Sequence, residues 1–356
     1  MNKNRLFLDI HAIQTLPPSN INRDDTGSPK TALYGGVRRA RVSSQSWKKA
    51  MRSYFVQNSE ENNVGVRTLE IVRYVADLIK EVDDTISDED ALKLANKTFN
   101  SAKISTTKDY KAKALFFLGK QQALALAKAT IEGIDDKDKL QEILKNNPAV
   151  DIALFGRMLA DDPSLNEDAS AQVAHAISTH AVQNEYDFYT AIDDLSPEDN
   201  AGAGMLGNIE FNSSTLYRYA NIALHELSGQ LNDKKAVIDA VKLFIKAFAN
   251  SLPTGKINSF ANQTIPDVLI VTLRNDRPIS LVTAFEKPVK STDGNVIKSI
   301  QKLSSEFKKV EKFVNEPIAT MYVSLENVDD LSRIGEEKAS LNSLLEDISK
   351  TLSELV

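Results

Sequence analysis

The hydrophobic pattern changes period several times along the chain, and each change predicts a different kind of element. Leu6-Phe7-Leu8-Asp9-Ile10-His11-Ala12-Ile13 is apolar at nearly every position, the composition of a strand buried in a sheet. From about Thr15 to Lys30 the chain turns polar, with Pro17, Pro18, Asn20, Asn22, Asp24, Asp25, Gly27 and Pro29. A stretch that long without an element predicts either a functional loop or a floppy one. Beyond the short link Leu33-Tyr34-Gly35-Gly36, Ser43 or Ser44 is suited to cap a helix. On that helix Trp47, Ala50, Met51, Tyr54 and Phe55 fall on one apolar face.

From about residue 64 to 183 the period is helical almost throughout. Leu69, Val72, Val75, Ala76 and Ile79 form one such set, Ala91, Leu92, Ala95 and Phe99 a second, and Leu115, Leu118, Gln122 and Leu126 a third. Ser87 with Asp90 resembles a capping box. Strand character returns at Tyr186, Phe188, Tyr189 and Ile192, and again at Phe211, Leu216, Tyr217, Tyr219 and Ile222. A helix is expected near Lys234 to Asn250, strands at Val268–Leu273 and Ile279–Phe285, and a helix near Val296 to Phe313. A strand at Ala319–Leu325 and a last helix over Glu336–Leu355 complete the series. One N-terminal strand cannot form a sheet alone, so this order predicts an α+β domain split by a helical insertion.

Composition narrows the function. With 42% hydrophobic and 26% charged residues in 356, the chain is an ordinary globular one of about two domains. It has no cysteine, which removes disulfides, thiolate zinc sites and cysteine nucleophiles. No apolar run approaches the ~18 residues of a membrane span, and Asp9 and His11 interrupt the first apolar stretch before it can serve as a signal segment. A soluble, cytoplasmic protein is expected. The net charge of −6 excludes a generally basic nucleic-acid binder.

The charge is uneven, however. Between Thr26 and Ser59 there is no acid, while Lys30, Arg38, Arg39, Arg41, Lys48, Lys49 and Arg52 supply seven positive charges. On the expected helix Gln45, Lys48, Lys49 and Arg52 form an arc separate from the apolar face. Ser43 and Ser44 sit at its start, where free N–H groups and the helix dipole favour phosphate. A solvated basic face is the plain alternative; the arrangement as a whole points to a phosphate backbone.

Other signals carry less. Gly202-Ala203-Gly204-Met205-Leu206-Gly207 matches GxGxxG, but a polar run precedes it and strand-like residues follow, the wrong context for dinucleotide binding. His175 and His180 are five apart rather than the four of a helical zinc pair, and no metal or other cofactor is expected. Asp24-Asp25 reads as a turn, with magnesium-assisted nuclease chemistry as a minor alternative. Arg157 is within reach of phosphate and Met158 of a base, although methionine there is more often core.

The segments Asn22-Arg23-Asp24-Asp25 and Gly35-Gly36-Val37-Arg38-Arg39-Ala40-Arg41-Val42-Ser43-Ser44-Gln45-Ser46-Trp47-Lys48-Lys49-Ala50-Met51-Arg52 resemble the signature of the CasC family. That family supplies the repeating backbone subunit of the CRISPR type I-E Cascade complex. Val150-Asp151-Ile152-Ala153-Leu154, Gly156-Arg157-Met158, Ala174-His175-Ala176-Ile177-Ser178-Thr179-His180, Tyr217-Arg218-Tyr219-Ala220-Asn221-Ile222 and Ala284-Phe285-Glu286-Lys287 extend the likeness in order. The resemblance implies an RRM-like (ferredoxin-like) palm over residues 1–59, 184–194 and 213–356. Helical fingers would occupy 60–183 and a protruding thumb 195–212. It implies a non-catalytic protein whose copies line up along the spacer of a CRISPR guide RNA with other Cascade subunits, while target DNA is reached through guide pairing. Lys30, Ser43, Gln45, Lys48 and Arg52 would hold the RNA backbone, with Ser44, Lys49, Arg38, Arg39 and Arg41 around them. Arg157, Met158 and Leu206 would lie against bases or the kinked backbone, and Trp47 in the core. The rival from the same relationship is a metal-dependent endoribonuclease of the type III backbone kind using Asp24 or Asp25.

Overall fold

In the computed structural model, which describes residues 5–59, 64–159, 162–191 and 205–355, the first strand runs further than the sequence pattern predicts. β1 (Phe7–Ser19) continues through Pro17 and Pro18, so the connecting loop is shorter than expected. β2 (Thr31–Tyr34) and β3 (Val37–Val42) form a hairpin where the sequence suggested only a link. Gly35 and Gly36 turn it with φ of 58° and 76°, a left-handed pair that glycine adopts without a Cβ penalty. α1 (Ser44–Asn58) begins where expected, with the Ser43 side chain accepting the Ser46 N–H.

A helical module follows, made of β4 (Val66–Thr68), α2 (Ile71–Val82), α3 (Asp88–Ser101), β5 (Phe116–Leu118), α4 (Lys120–Ile131) and α5 (Lys137–Lys145), and α6 (Val150–Phe155) then packs Ala153 and Leu154 back into the core under the sheet. Its core is its own, with Val72, Val75, Ile79, Phe99, Leu126, Leu140 and Leu165 all fully enclosed. Ser87 caps α3 as its spacing with Asp90 predicts. Leu115 and Leu118 precede α4 rather than lying on it, because Gly119 is its N-cap.

The helical period does not reach residue 183. β6 (Ala171–Val173) and β7 (Ala176–Ser178) return to the main sheet, where both pair with a later strand that draws them into extended form. β8 (Glu185–Ala191) and β9 (Met205–Ala223) come next, then α7 (Leu224–Leu231), α8 (Lys234–Asn250), α9 (Ile257–Phe260) and β10 (Val268–Arg274). The strand expected at Ile279–Phe285 is absent and Val282–Phe285 is a 3-10 turn. Its N–H groups are already engaged, that of Ile279 by the Asp9 carboxylate and that of Leu281 by the Tyr217 hydroxyl. α10 (Val296–Val310), β11 (Ala319–Ser324), β12 (Glu336–Glu337) and α11 (Leu341–Leu355) complete the chain, so the last helix starts five residues later than predicted.

The main sheet has the order β12-β11-β10-β1-β9-β7-β3-β2, with β1 antiparallel to both neighbours. The register of β1 against β9 slips between Leu16 and Ser19, and that irregularity accommodates the two prolines. Leu8, Ile10 and Ala12 share a core with Met51 and Phe55 of α1 and with Val241, Phe244 and Phe248 of α8. On the other face Ile13, Tyr217, Tyr219 and Ile270 meet Ile300, Leu303 and Phe307 of α10. The mixed α+β class is as expected, and the sheet is covered on both faces.

β8 pairs with the outer half of β9 from Glu185↔Phe211 to Ala191↔Met205. Every residue of β8 is exposed, so the two strands form an arm. Of the expected thumb, residues 205–212 lie on this arm and 195–204 are outside the described residues. Of the palm strand predicted over 184–194, Glu185–Ala191 is β8, the other limb of the arm, and 192–194 are outside the described residues.

The β2–β3 turn yields a graded prediction. A Cβ at Gly36 meets open space, so Gly36→Ala carries only the left-handed backbone penalty, about 1–2 kcal/mol. A Cβ at Gly35 would stand 1.6 Å from the Glu286 carbonyl oxygen, and Gly35→Ala should destabilise clearly more. Urea unfolding of the two variants checks the order.

Candidate nucleic-acid interface

At the start of α1 the expected anion site is largely closed by the protein itself. The Ser44 N–H donates to His175 Nδ1 at 3.1 Å and the Ser46 N–H to Ser43 Oγ at 3.3 Å. The Ser43 N–H is taken by the Asn22 side chain at 2.8 Å. Ser43 is therefore a buried cap, and the Gln45 N–H is what remains of the first three along the helix. Lys30 and Arg41 lie close enough to His175 for their charges, after its partial burial, to hold its pKa below the usual imidazole range.

Further along α1 the predicted arc opens into a cleft of about 740 Å³ between this helix and the helical module. Gln45, Lys48, Lys49 and Arg52 line it from α1, and Asn166, Glu167 and Asp168 from the segment after α6. Phe117, Phe155, Leu115 and Met158 supply apolar lining, and Met158 is 82% exposed. Lys48 leans over the Phe155 ring at 5.5 Å, and burial of its stem lowers its pKa. Thus Met158, 110 residues from Lys48, comes to the same cleft as the basic arc.

Arg52 only partly faces out. Its Nε bonds Asp151 at 2.9 Å, its Nη2 donates to the Gly65 carbonyl, and its guanidinium lies 4.5 Å from the centre of the Phe117 ring. Asp151 is fully enclosed on α6 and also accepts the Gly65 N–H at 2.8 Å. Burial raises its pKa, against the opposing pull of Gly65 and Arg52.

Besides Ser43, two predicted contacts lie inside the protein. The Arg39 guanidinium is buried and donates to the Tyr34, Ser178 and Phe285 carbonyls, because the 3-10 turn covers that face of β3. Arg157 is buried too, bonded to the Leu165, Phe117 and Leu144 carbonyls. Arg38 is exposed on the β2–β3 hairpin, and Leu206, 61% exposed, is on the arm; neither lines the cleft. Trp47 is in the core, as expected. Sequence reading missed Arg67, Phe117 and Phe155, which reach the cleft only through the fold of the helical module, and passed over His175 as an ordinary histidine. Its place in the segment Ala174-His175-Ala176-Ile177-Ser178-Thr179-His180 was the one available signal.

The Arg52–Asp151 pair gives a test with a definite sign. Arg52→Met leaves a buried carboxylate with no counter-charge, and should cost about 3 kcal/mol. The Asp151 pKa, already raised in the folded state, would rise further. Stability should then be retained at low pH and lost as pH climbs above the ordinary carboxylate range. Asp151→Asn, which is neutral and keeps an acceptor for Gly65, should show no such decline. Denaturant unfolding at several pH values separates the two.

Comparison with known proteins gives the chain a family. No curated protein gives a significant match. One chain of a structure described as a CRISPR RNA-guided surveillance complex, pre-nicking, aligns with a TM-score of 0.85 at 35% identity, covering 97% of this chain and 100% of that one. A chain of a second CRISPR RNA-guided surveillance complex aligns with a TM-score of 0.75 at 31% identity, over 97% and 99%. A family model described as CT1975-like protein matches residues 8–347. The resemblance carried by the sequence motifs is thereby borne out, and the protein belongs to the CT1975-like protein family.

Proposed function

We propose that the protein is a non-catalytic backbone subunit of an RNA-guided surveillance complex of the Cascade kind. Copies line up along a guide RNA, hold its phosphates on the α1 surface and leave its bases free to pair with target DNA. The observation that carries this reading is the cleft in which Lys48 and Lys49 converge with exposed Met158 over an aromatic lining. Lysines meeting phosphates bind any sequence, which a guide of variable spacer requires. An apolar side chain beside them can displace or stack a base without reading it. Sequence discrimination then belongs to base pairing.

The arm supplies a contact between copies. Tyr186, Phe188 and Leu206 share one of its faces by register and are all exposed. Apolar side chains on a two-stranded arm need a neighbour to cover them. Support for a non-catalytic role comes from Asp24, whose Oδ1 accepts the Thr26 N–H, the Thr26 hydroxyl and the Ser28 N–H. Its carboxylate holds the loop and has a lowered pKa through those bonds, first that from the Thr26 side chain.

Anisotropy of a labelled unstructured RNA of roughly 30 nucleotides, titrated at several salt concentrations, tests the reading. Affinity should fall steeply with salt, and Lys48→Ala or Lys49→Ala should each reduce the log–log slope by about 0.7. Equal affinities in Lys48→Glu/Lys49→Glu protein would remove the cleft from RNA binding. Metal-dependent RNA cleavage lost in Asp25→Ala would overturn the non-catalytic assignment.

A further inference from the structure

We propose that His175 is a phosphate-binding residue of the α1 surface, and that it acts as a neutral donor through Nε2–H. The inference rests on the RNA-binding reading above and adds to it a residue of a different electrostatic kind.

Three of the four histidines are buried or half-buried and held by bonds within the fold. His11 is buried with Nδ1 2.9 Å from the Tyr217 hydroxyl. His180 accepts the Thr215 N–H at Nε2, and its Nδ1 lies 2.9 Å from the Ala181 carbonyl. His225 has Nδ1 against the Leu6 backbone and its ring edge-on to Phe7. His175 is different: its ring is exposed, between β6 and β7, and its Nδ1 is occupied by the Ser44 N–H.

That one bond fixes the tautomer. A backbone N–H can only donate, so Nδ1 must present its lone pair, and the ring proton is on Nε2. Protonating Nδ1 would set two donors against each other. The charged groups that act on the ring are Arg41 on β3 and Lys30 in the segment before β2, and both oppose a further positive charge. The imidazole stays neutral in the field of these two cations, and Nε2–H is left to donate. A phosphate drawn there by Lys30 and Arg41 meets a donor that adds affinity without releasing a counterion. Removing His175 and removing Lys30 should therefore leave different signatures.

Two amide variants separate the ring nitrogens. The oxygen of Asn reaches the place of Nδ1 and can keep the Ser44 bond, while nothing reaches the place of Nε2. Gln does the reverse. With labelled RNA and the full-length protein, His175→Asn should weaken binding about tenfold at every salt concentration, with an unchanged log–log slope and an unchanged unfolding temperature. His175→Gln should keep most of the affinity while its unfolding temperature falls. Lys30→Ala should lower the slope by about 0.7. Parental affinity should be flat as pH falls from about 7.5 to about 6.

Parental binding with an unaffected Asn variant would overturn the assignment alone, since His175 would then only cap α1. Affinity that climbs on acidification in the parent but not in the Asn variant would also overturn it, by making His175 a cation when bound. A parent that does not bind RNA even at low salt would overturn the RNA-binding reading, and this inference with it.

Discussion

The sheet depends on β1 being sealed at both edges and on both faces. Its two partners, β9 and β10, come more than 190 residues later in the chain, so everything between is an excursion that must return to the same place. Lengthening such an excursion adds little closure entropy, which is why a helical module with its own core can be tolerated there. The sealed strand also dictates its polar content. Burial pushes the Asp9 carboxyl up to about 7, against the hydrogen bonds from Tyr219 and Ile279 and the charge of Arg274. It pulls His11 down to about 3, with Arg274 adding to the effect. Both shifts work toward neutrality in an interior where an isolated charge is costly.

The cations of this chain divide by what each can do when desolvated. Arg39, Arg157 and Arg218 are buried, and among the described residues none forms an ion pair with a carboxylate. Carbonyl oxygens satisfy Arg39 and Arg157. Arg218 donates to the Gln14 side chain and the Phe248 carbonyl, and lies 3.7 Å from the centre of the Trp47 ring. Burial lowers the pKa of Arg157 to about 10, against the opposing pull of the Glu167 charge, and that of Arg218 to about 9, both still protonated at neutral pH. A planar guanidinium with five donors can tie several backbone carbonyls at once, whereas a lysine ammonium is better left in water. The accessible charge of α1 is thus chiefly Lys48 and Lys49.

These internal bonds hold α1 in place along its length. Arg218 stacks on Trp47 near the start of the helix, and Asp151 engages Arg52 a turn further on. The second contact reaches α6 and Gly65, where the helical module enters and leaves the sheet domain. The geometry of the cleft is therefore set by the same residue that borders it, and Arg52 serves alignment as much as charge.

Much of this could be read from the sequence where one local rule decided the outcome. The Ser43 cap, the apolar face of Trp47, Met51 and Phe55, the outward Lys48 and Lys49, and the helix over Lys234–Asn250 follow from side-chain period and capping chemistry. The run free of acids between Thr26 and Ser59 marked the basic surface. What the sequence left open was decided by partners far away along the chain. Arg38 and Arg39 are adjacent on one strand, yet one is exposed and the other buried, because the Phe285 carbonyl arrives 246 residues later to cover it. Residues 171–178 are strands because β9 pairs with them, and Pro17 and Pro18 extend β1 because the register slips there. Local period fixes which side of an element is apolar; only the assembled sheet and its covering segments decide which polar groups still reach water.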